Sequence, residues 1–166
     1  TNSPVNVGVL GRSRWNAPPN HVVVEKYIPL RSDMIEKEED IGRIIIPWLE
    51  SQEWEVFQEV RIGNFTDRRA DIVCRRGPII YVLELKKSFS LSLLEQAEYW
   101  TRYAHYVSVV VPRSKKRESR FSEIVSSRFG IGLIRVDRDF VYESVRPEFR
   151  RRAFSGYWRT LGDQYK

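Results

Sequence analysis

At 166 residues the chain is long enough for one domain with a sizeable core. Hydrophobic residues make up 42% and charged residues 30%, ordinary values for a soluble globular protein, and no apolar run approaches the roughly 20 residues a membrane helix needs. The net charge of +6 and sequence pI of about 9.6 favour anionic partners, of which nucleic acid is the commonest.

Residues 1–20 are rich in Pro, Asn, Ser and Arg and close on Pro18-Pro19, which predicts an extended arm over residues 1–30 with little regular structure. Nothing there has the charged, apolar and small-residue order of a signal peptide. The chain opens on Thr1 rather than Met, so an upstream segment is expected to have been removed or left out. Val22-Val23-Val24 suits a short strand. From Asp33 to Glu50 the apolar residues Met34, Ile41, Ile45, Trp48 and Leu49 fall on one stripe, which predicts a helix capped by Ser32 or Asp33 and bent or shortened by Pro47.

Glu53–Ile62 alternates imperfectly, as a strand would, before the turn signal Gly63-Asn64. Arg69–Cys74 reads as a second strand. Ile79–Leu85 reads as a buried central one, apolar throughout except for Glu84. A helix is expected over Leu91–His105, then a Val-rich strand at Tyr106–Val111 ended by Pro112. Residues 115–129 suit a basic helix ending near Gly130, and strands are expected at Ile131–Val136 and Phe140–Val145. Residues 146–166 form a basic aromatic tail. The order helix, three strands, helix, strand implies an α/β fold with a central mixed sheet flanked by helices, spanning residues 31–145.

The chemistry concentrates where polar residues interrupt apolar strands. Asp71 opens one such strand and Glu84 closes the next. A carboxylate there costs several kcal/mol unless it is paired or bound to a cation. Two carboxylates on adjacent strands can converge on one divalent ion, and hard oxygen ligands suit Mg²⁺ or Mn²⁺. Residues two apart on a strand share a face, so Glu84 goes with Lys86, while Leu85 points away and offers its carbonyl to the ion. That set suits phosphodiester hydrolysis, with Lys86 orienting water or stabilising the phosphate. The same strands also admit a structural ion-pair set, Glu84 with Lys86 or Lys87 and Asp71 with Arg68 or Arg69.

The segment Arg69-Ala70-Asp71 followed by Glu84-Leu85-Lys86 resembles the core of the PD-(D/E)XK phosphodiesterase superfamily, which includes restriction endonucleases, Holliday-junction resolvases and RecB-type nuclease domains. Ala70 stands where the family has Pro, and Tyr99 and Trp100 do not follow the RecB-type spacing from Gln96. The resemblance covers roughly residues 33–136. It implies a restriction-endonuclease-like αβββαβ core with N- and C-terminal extensions. It also implies a glutamate on the first helix that faces the site and a role for Gln96 on the helix after Lys86. Among the acids of the first helix, Glu38 precedes Ile41, Ile45 and Leu49 by three, seven and eleven, and so shares their inward stripe; Glu39 lies about 100 degrees around.

The expected catalytic set is therefore Glu38, Asp71, Glu84, Lys86 and Gln96, with Asp71, Glu84 and the Leu85 carbonyl holding Mg²⁺ or Mn²⁺. The expected activity is a metal-dependent DNA endonuclease, structure-selective in repair, recombination or defence. The alternative is a non-catalytic nucleic-acid-binding or interaction protein that retains the fold. Arg113, Lys115, Lys116 and Arg117, and Arg150, Arg151 and Arg152 beside aromatics, are candidate DNA-backbone contacts, or solvated faces. The terminal arms could instead meet a protein partner, and the family suggests a homodimer. His21 and His105 follow no metal-ligand spacing, so no zinc site is expected. The lone Cys74 reads as a buried reduced thiol, consistent with a cytoplasmic setting.

Overall fold

The computed structural model describes residues 22–23, 35–61, 68–114, 120–138, 140–151 and 155–166. Most of the N-terminal arm, Ser32, Asp33, Met34, the Gly63-Asn64 turn, Lys115, Lys116, Arg117 and Arg152 lie outside them.

Seven strands form one open mixed sheet: β1 (Val22–Val23), β2 (Glu55–Arg61), β3 (Arg69–Arg76), β4 (Ile79–Leu85), β5 (Tyr106–Pro112), β6 (Gly132–Val136) and β7 (Phe140–Val145). Their spatial order is β1-β7-β6-β5-β4-β3-β2. The pairs β4–β5 and β5–β6 are parallel and the other pairs antiparallel. Helices α1 (Glu38–Glu50), α2 (Leu91–Trp100) and α3 (Phe121–Arg128) flank it. The hairpin between β3 and β4 is made by Gly77-Pro78 alone, and Gly77 takes φ +56 there, the left-handed geometry that a two-residue loop demands at its first position.

Alternation along the strands divides the core into two layers. Ile80 and Val82 of β4, with Ala70 and Val73 of β3, pack beneath α2 through Leu93, Ala97 and Trp100. Tyr81, Leu83 and Leu85 of β4, with Ile72 and Cys74 of β3, pack beneath α1 through Ile41, Ile45 and Leu49. Cys74 is fully buried and its thiol is pushed well above the ordinary value by burial, so it is an inert core residue.

The helices are shorter than their apolar patterns predict, and local hydrogen bonds say why. α1 starts at Glu38 rather than Asp33, because the Asp40 carboxylate accepts from the main-chain N–H groups of Glu36 and Lys37 and fixes the first turn there. Pro47 lies inside α1, which still runs on to Glu50. α2 ends at Trp100 rather than His105. The chain turns away over Thr101–Tyr103 so that the His105 N–H can reach the Ile80 carbonyl at 2.9 Å, while the Ile80 N–H donates to His105 Nδ1 at 3.0 Å. His105 is thus a buried bridge onto β4 rather than a helix-end residue. α3 starts at Phe121, after residues 115–119, which lie outside the description.

Within 146–166, expected as a tail, described residues dock on the domain. Trp158 is 2% exposed, packs tilted against Trp100 with ring centroids 5.9 Å apart and donates its indole N–H to the Tyr103 carbonyl. Lys166 meets Glu55 on β2 at 3.0 Å. This segment spans the α2 layer because its apolar residues match the surface that α2 and the following turn leave uncovered. We expect Trp158→Ala to lower the unfolding free energy by about 3–5 kcal/mol, measured by urea denaturation. A loss under 1 kcal/mol would mean the segment is an appendage.

Candidate functional site

The expected carboxylates meet at the ends of β3 and β4. The last paired residues of that ladder are Ile72 and Leu83, and one step further in the same register Asp71 faces Glu84. Asp71 Oδ2 accepts from the Leu85 N–H at 2.8 Å. Glu84 is buried, 5% exposed, and accepts from the indole N–H of Trp100 on α2. The two carboxyl groups are also within hydrogen-bonding reach of each other.

This closeness governs their protonation. Burial raises the Asp71 carboxyl, opposed by the Leu85 N–H, and the charges of Glu59 and Glu38 add to the rise. Glu84 is pushed up to about 8, first by burial and then by the Asp71 charge; the Trp100 N–H and Lys86 pull the other way. Two like carboxyls in a buried site favour one shared proton, and a cation can replace that proton.

Lys86 lies just past β4, and its N–H bonds the Val110 carbonyl at 3.1 Å. Its ammonium pairs with Glu38 on α1 at 3.2 Å. Alternation gives Glu84 and Lys86 one face, yet their anchors belong to opposite layers, Trp100 of α2 for the first and Glu38 of α1 for the second. The structure therefore assembles Glu38, Asp71, Glu84 and Lys86 at the end of the sheet. Of the alternative ion-pair partners, Arg69 pairs with Glu59 at 2.6 Å and Lys86 with Glu38 at 3.2 Å. The half-buried Asp71 and the buried Glu84 carboxyls are both raised, the opposite of what a dominant cationic partner would do.

Two clefts open beside the pair. One, of about 700 Å³, is lined by Glu38, Glu39, Glu59, Asp71 and Leu85 among others. The other, of about 400 Å³, is lined by Arg68, Arg69, Glu84, Ser92, Gln96 and Trp100 among others. Gln96 is exposed on α2 and lines the second cleft. On α1, Glu38 and Glu39 both line the first cleft, and it is Glu38 that pairs with Lys86.

Three residues of this site escaped the reading of the sequence. Trp100 was noted only for its spacing from Gln96. Arg68 was weighed only as an ion-pair partner; it lines the second cleft and stacks its guanidinium 4.2 Å from the Tyr99 ring centroid. Glu59 has φ +54, rare for a residue with a side chain, and lies opposite Asp71 in the register of β2 with β3. The imperfect alternation of 53–62 was its trace: Val56 and Phe57 are both buried, and Gln58 and Glu59 both exposed.

The candidate DNA contacts divide. Arg113 and Arg151 are exposed, and the Arg113 guanidinium lies 5.4 Å from the Phe140 ring centroid. Arg150 departs from expectation. Its guanidinium donates to the carbonyls of Phe129 at 2.8 Å and Gly130 at 3.1 Å, and its main-chain N–H to that of His105 at 2.8 Å. That residue staples the C-terminal segment to the domain and is not presented to a phosphate.

Among the described residues, no group of three or more His, Cys, Asp or Glu side chains could together hold a metal ion. The donor set is the Asp71–Glu84 pair, and it fits Mg²⁺ or Mn²⁺: such an ion commonly takes one or two carboxylates and completes its shell with water and substrate oxygens.

No protein-family profile matches the chain, and no curated relative matches it. Among solved structures, the fold is similar to that of SPO1766, a protein of unknown function from Silicibacter pomeroyi, with a TM-score of 0.52 and 15% identity over 70% of this chain and 75% of that one. SfsA of Pyrococcus furiosus, solved in complex with Ca²⁺, aligns with a TM-score of 0.32 and 13% identity over 68% of this chain and 62% of that one. The first likeness is one of fold alone, an α/β architecture with a mixed open sheet flanked by helices. No helix among the described residues is long and apolar enough to cross a membrane.

Proposed function

We propose that this chain is a Mg²⁺- or Mn²⁺-dependent deoxyribonuclease of PD-(D/E)XK type, with a restriction-endonuclease-like core, that hydrolyses phosphodiester bonds in DNA. The observation that carries this reading is the convergence of half-buried Asp71 and buried Glu84 beside Lys86, between two clefts, with both carboxyls raised in pKa. Carboxyls with perturbed protonation that face each other beside a cleft are the kind of arrangement that functional sites use.

Asp71 and Glu84 hold the ion, with the Leu85 main chain drawn beside them by the N–H bond to Asp71. When bound, the ion lowers the pKa of a water and neutralises charge that develops on the phosphate. Lys86 supplies a fixed positive charge to the scissile phosphate or orients the attacking water, and Glu38 holds the Lys86 ammonium in place. Gln96 lines the Glu84-side cleft and is suited to hydrogen-bond the nucleotide or a water there. The net charge of +6 favours a polyanionic substrate.

The test is a cleavage panel of labelled single-stranded, duplex, flap and branched DNA with and without Mn²⁺, run beside Glu84→Gln, which keeps an acceptor for the Trp100 N–H. Salt-sensitive binding without turnover on any substrate would replace this reading with that of a nucleic-acid-binding protein that retains the fold. Lys86→Met separates catalysis from folding. The Lys86–Glu38 pair is half-exposed and contributes at most about 1 kcal/mol, so thermal unfolding should move little while cleavage falls about a hundredfold or more.

A further inference from the structure

Trp100 is unusual among the core residues of α2. It is 2% exposed and packed in the apolar layer with Leu93, Ala97 and Trp158, yet its one polar atom points away from that layer to Glu84. The N–H reaches Oε1 of Glu84 and so engages one of the two carboxylate oxygens. The surroundings of the indole allow little play. Tyr99 packs edge-on to it at 4.9 Å and Trp158 lies 5.9 Å away. The same residue lines the cleft on the Glu84 side. A rigid donor that is held from two sides and aimed at a buried carboxylate fixes the rotamer of that carboxylate, much as outer-shell partners orient metal ligands.

We propose that Trp100 is a positioning residue for the divalent cation: its indole N–H reserves Oε1 of Glu84 and presents the remaining oxygen, beside Asp71, to the ion. The inference rests on the metal-site reading above and adds the residue that sets how Glu84 is offered. Trp158 lies in the same apolar layer, and its own N–H is engaged by the Tyr103 carbonyl rather than by Glu84.

The test measures Mn²⁺ affinity by calorimetry on the full chain, stripped of metal, for wild type, Trp100→Phe and Trp158→Phe. Each substitution removes an indole N–H from the same core and leaves an aromatic ring in place, so that Trp158→Phe keeps a ring against Trp100 and loosened packing alone would affect both variants alike. The expected result is that Trp100→Phe weakens Mn²⁺ binding about tenfold or more, whereas Trp158→Phe leaves it within about twofold. Equal affinities in wild type and Trp100→Phe, or equal losses in the two variants, would overturn the positioning role. Wild type that binds no Mn²⁺ at millimolar concentration would overturn the metal-site reading itself, a result distinct from either of these. Should Trp100→Phe not fold, wild type with ¹⁵N-labelled tryptophan decides: the Trp100 indole N–H signal should shift as Mg²⁺ saturates the site, and an unmoved signal at saturation overturns the proposal.

Discussion

Asp71→Asn and Glu84→Gln should each lower Mg²⁺-dependent DNA cleavage at least about a hundredfold while leaving the protein folded. The amide variants are the informative ones. An amide oxygen at position 71 still accepts from the Leu85 N–H, and one at position 84 still accepts from Trp100, so the buried donors keep their partners. Only the negative charge that would hold the cation is lost. Alanine at either position would leave a buried N–H unsatisfied and mix a folding defect into the rate. Steady-state cleavage of labelled duplex and branched DNA, with circular dichroism as the folding control, reads the effect. Undiminished cleavage in either amide variant would remove that carboxylate from the mechanism, and wild-type cleavage in excess EDTA would remove the metal.

The second large effect is on stability as a function of pH. In the metal-free protein the Glu84 carboxyl titrates near 8, against an ordinary value of 4.5. Between those values the folded state keeps a proton that the unfolded chain has released. Stability is therefore fully present below about pH 4.5, falls as pH rises through the window, and levels off above about pH 8. At 1.36 kcal/mol per pKa unit the loss attributable to Glu84 is about 3–5 kcal/mol. Asp71, raised by the same burial, adds in the same direction. Glu84→Gln removes this dependence and should be more stable than wild type at pH 8, although inactive. Mg²⁺ or Mn²⁺ should restore wild type at pH 8, by about 2.7 kcal/mol at a hundredfold excess over its dissociation constant, because the ion takes over the role of the shared proton. Urea denaturation of EDTA-treated wild type and Glu84→Gln from pH 4.5 to 8.5 checks both statements. Parallel curves for the two proteins would mean that Glu84 is ionised in the folded state at neutral pH.

The two predictions describe one trade. A site that holds two carboxyls together in a dry place destabilises the empty protein and gains affinity for a cation. The positions that carry this strain are the ones where local rules are broken: an acid inside an apolar strand at Glu84, and a left-handed residue with a side chain at Glu59.

Much of this was written locally. The continuous apolar run of Ile79–Leu85, interrupted only by Glu84, marks both a buried central strand and the residue out of place in it. The apolar stripe of Ile41, Ile45 and Leu49 determined which face of α1 is buried, and with it that Glu38 rather than Glu39 turns toward Lys86. These features depend on residues a few positions apart, whose relation is set by the periods of helix and strand. Tertiary structure decided the rest. That Trp100 holds Glu84, that Glu59 faces Asp71, that Arg150 is committed to main-chain carbonyls and that Trp158 packs against Trp100 all depend on contacts between distant segments. No period in the sequence encodes such contacts; they follow from the register of the sheet and from where the apolar surface of α2 had still to be covered.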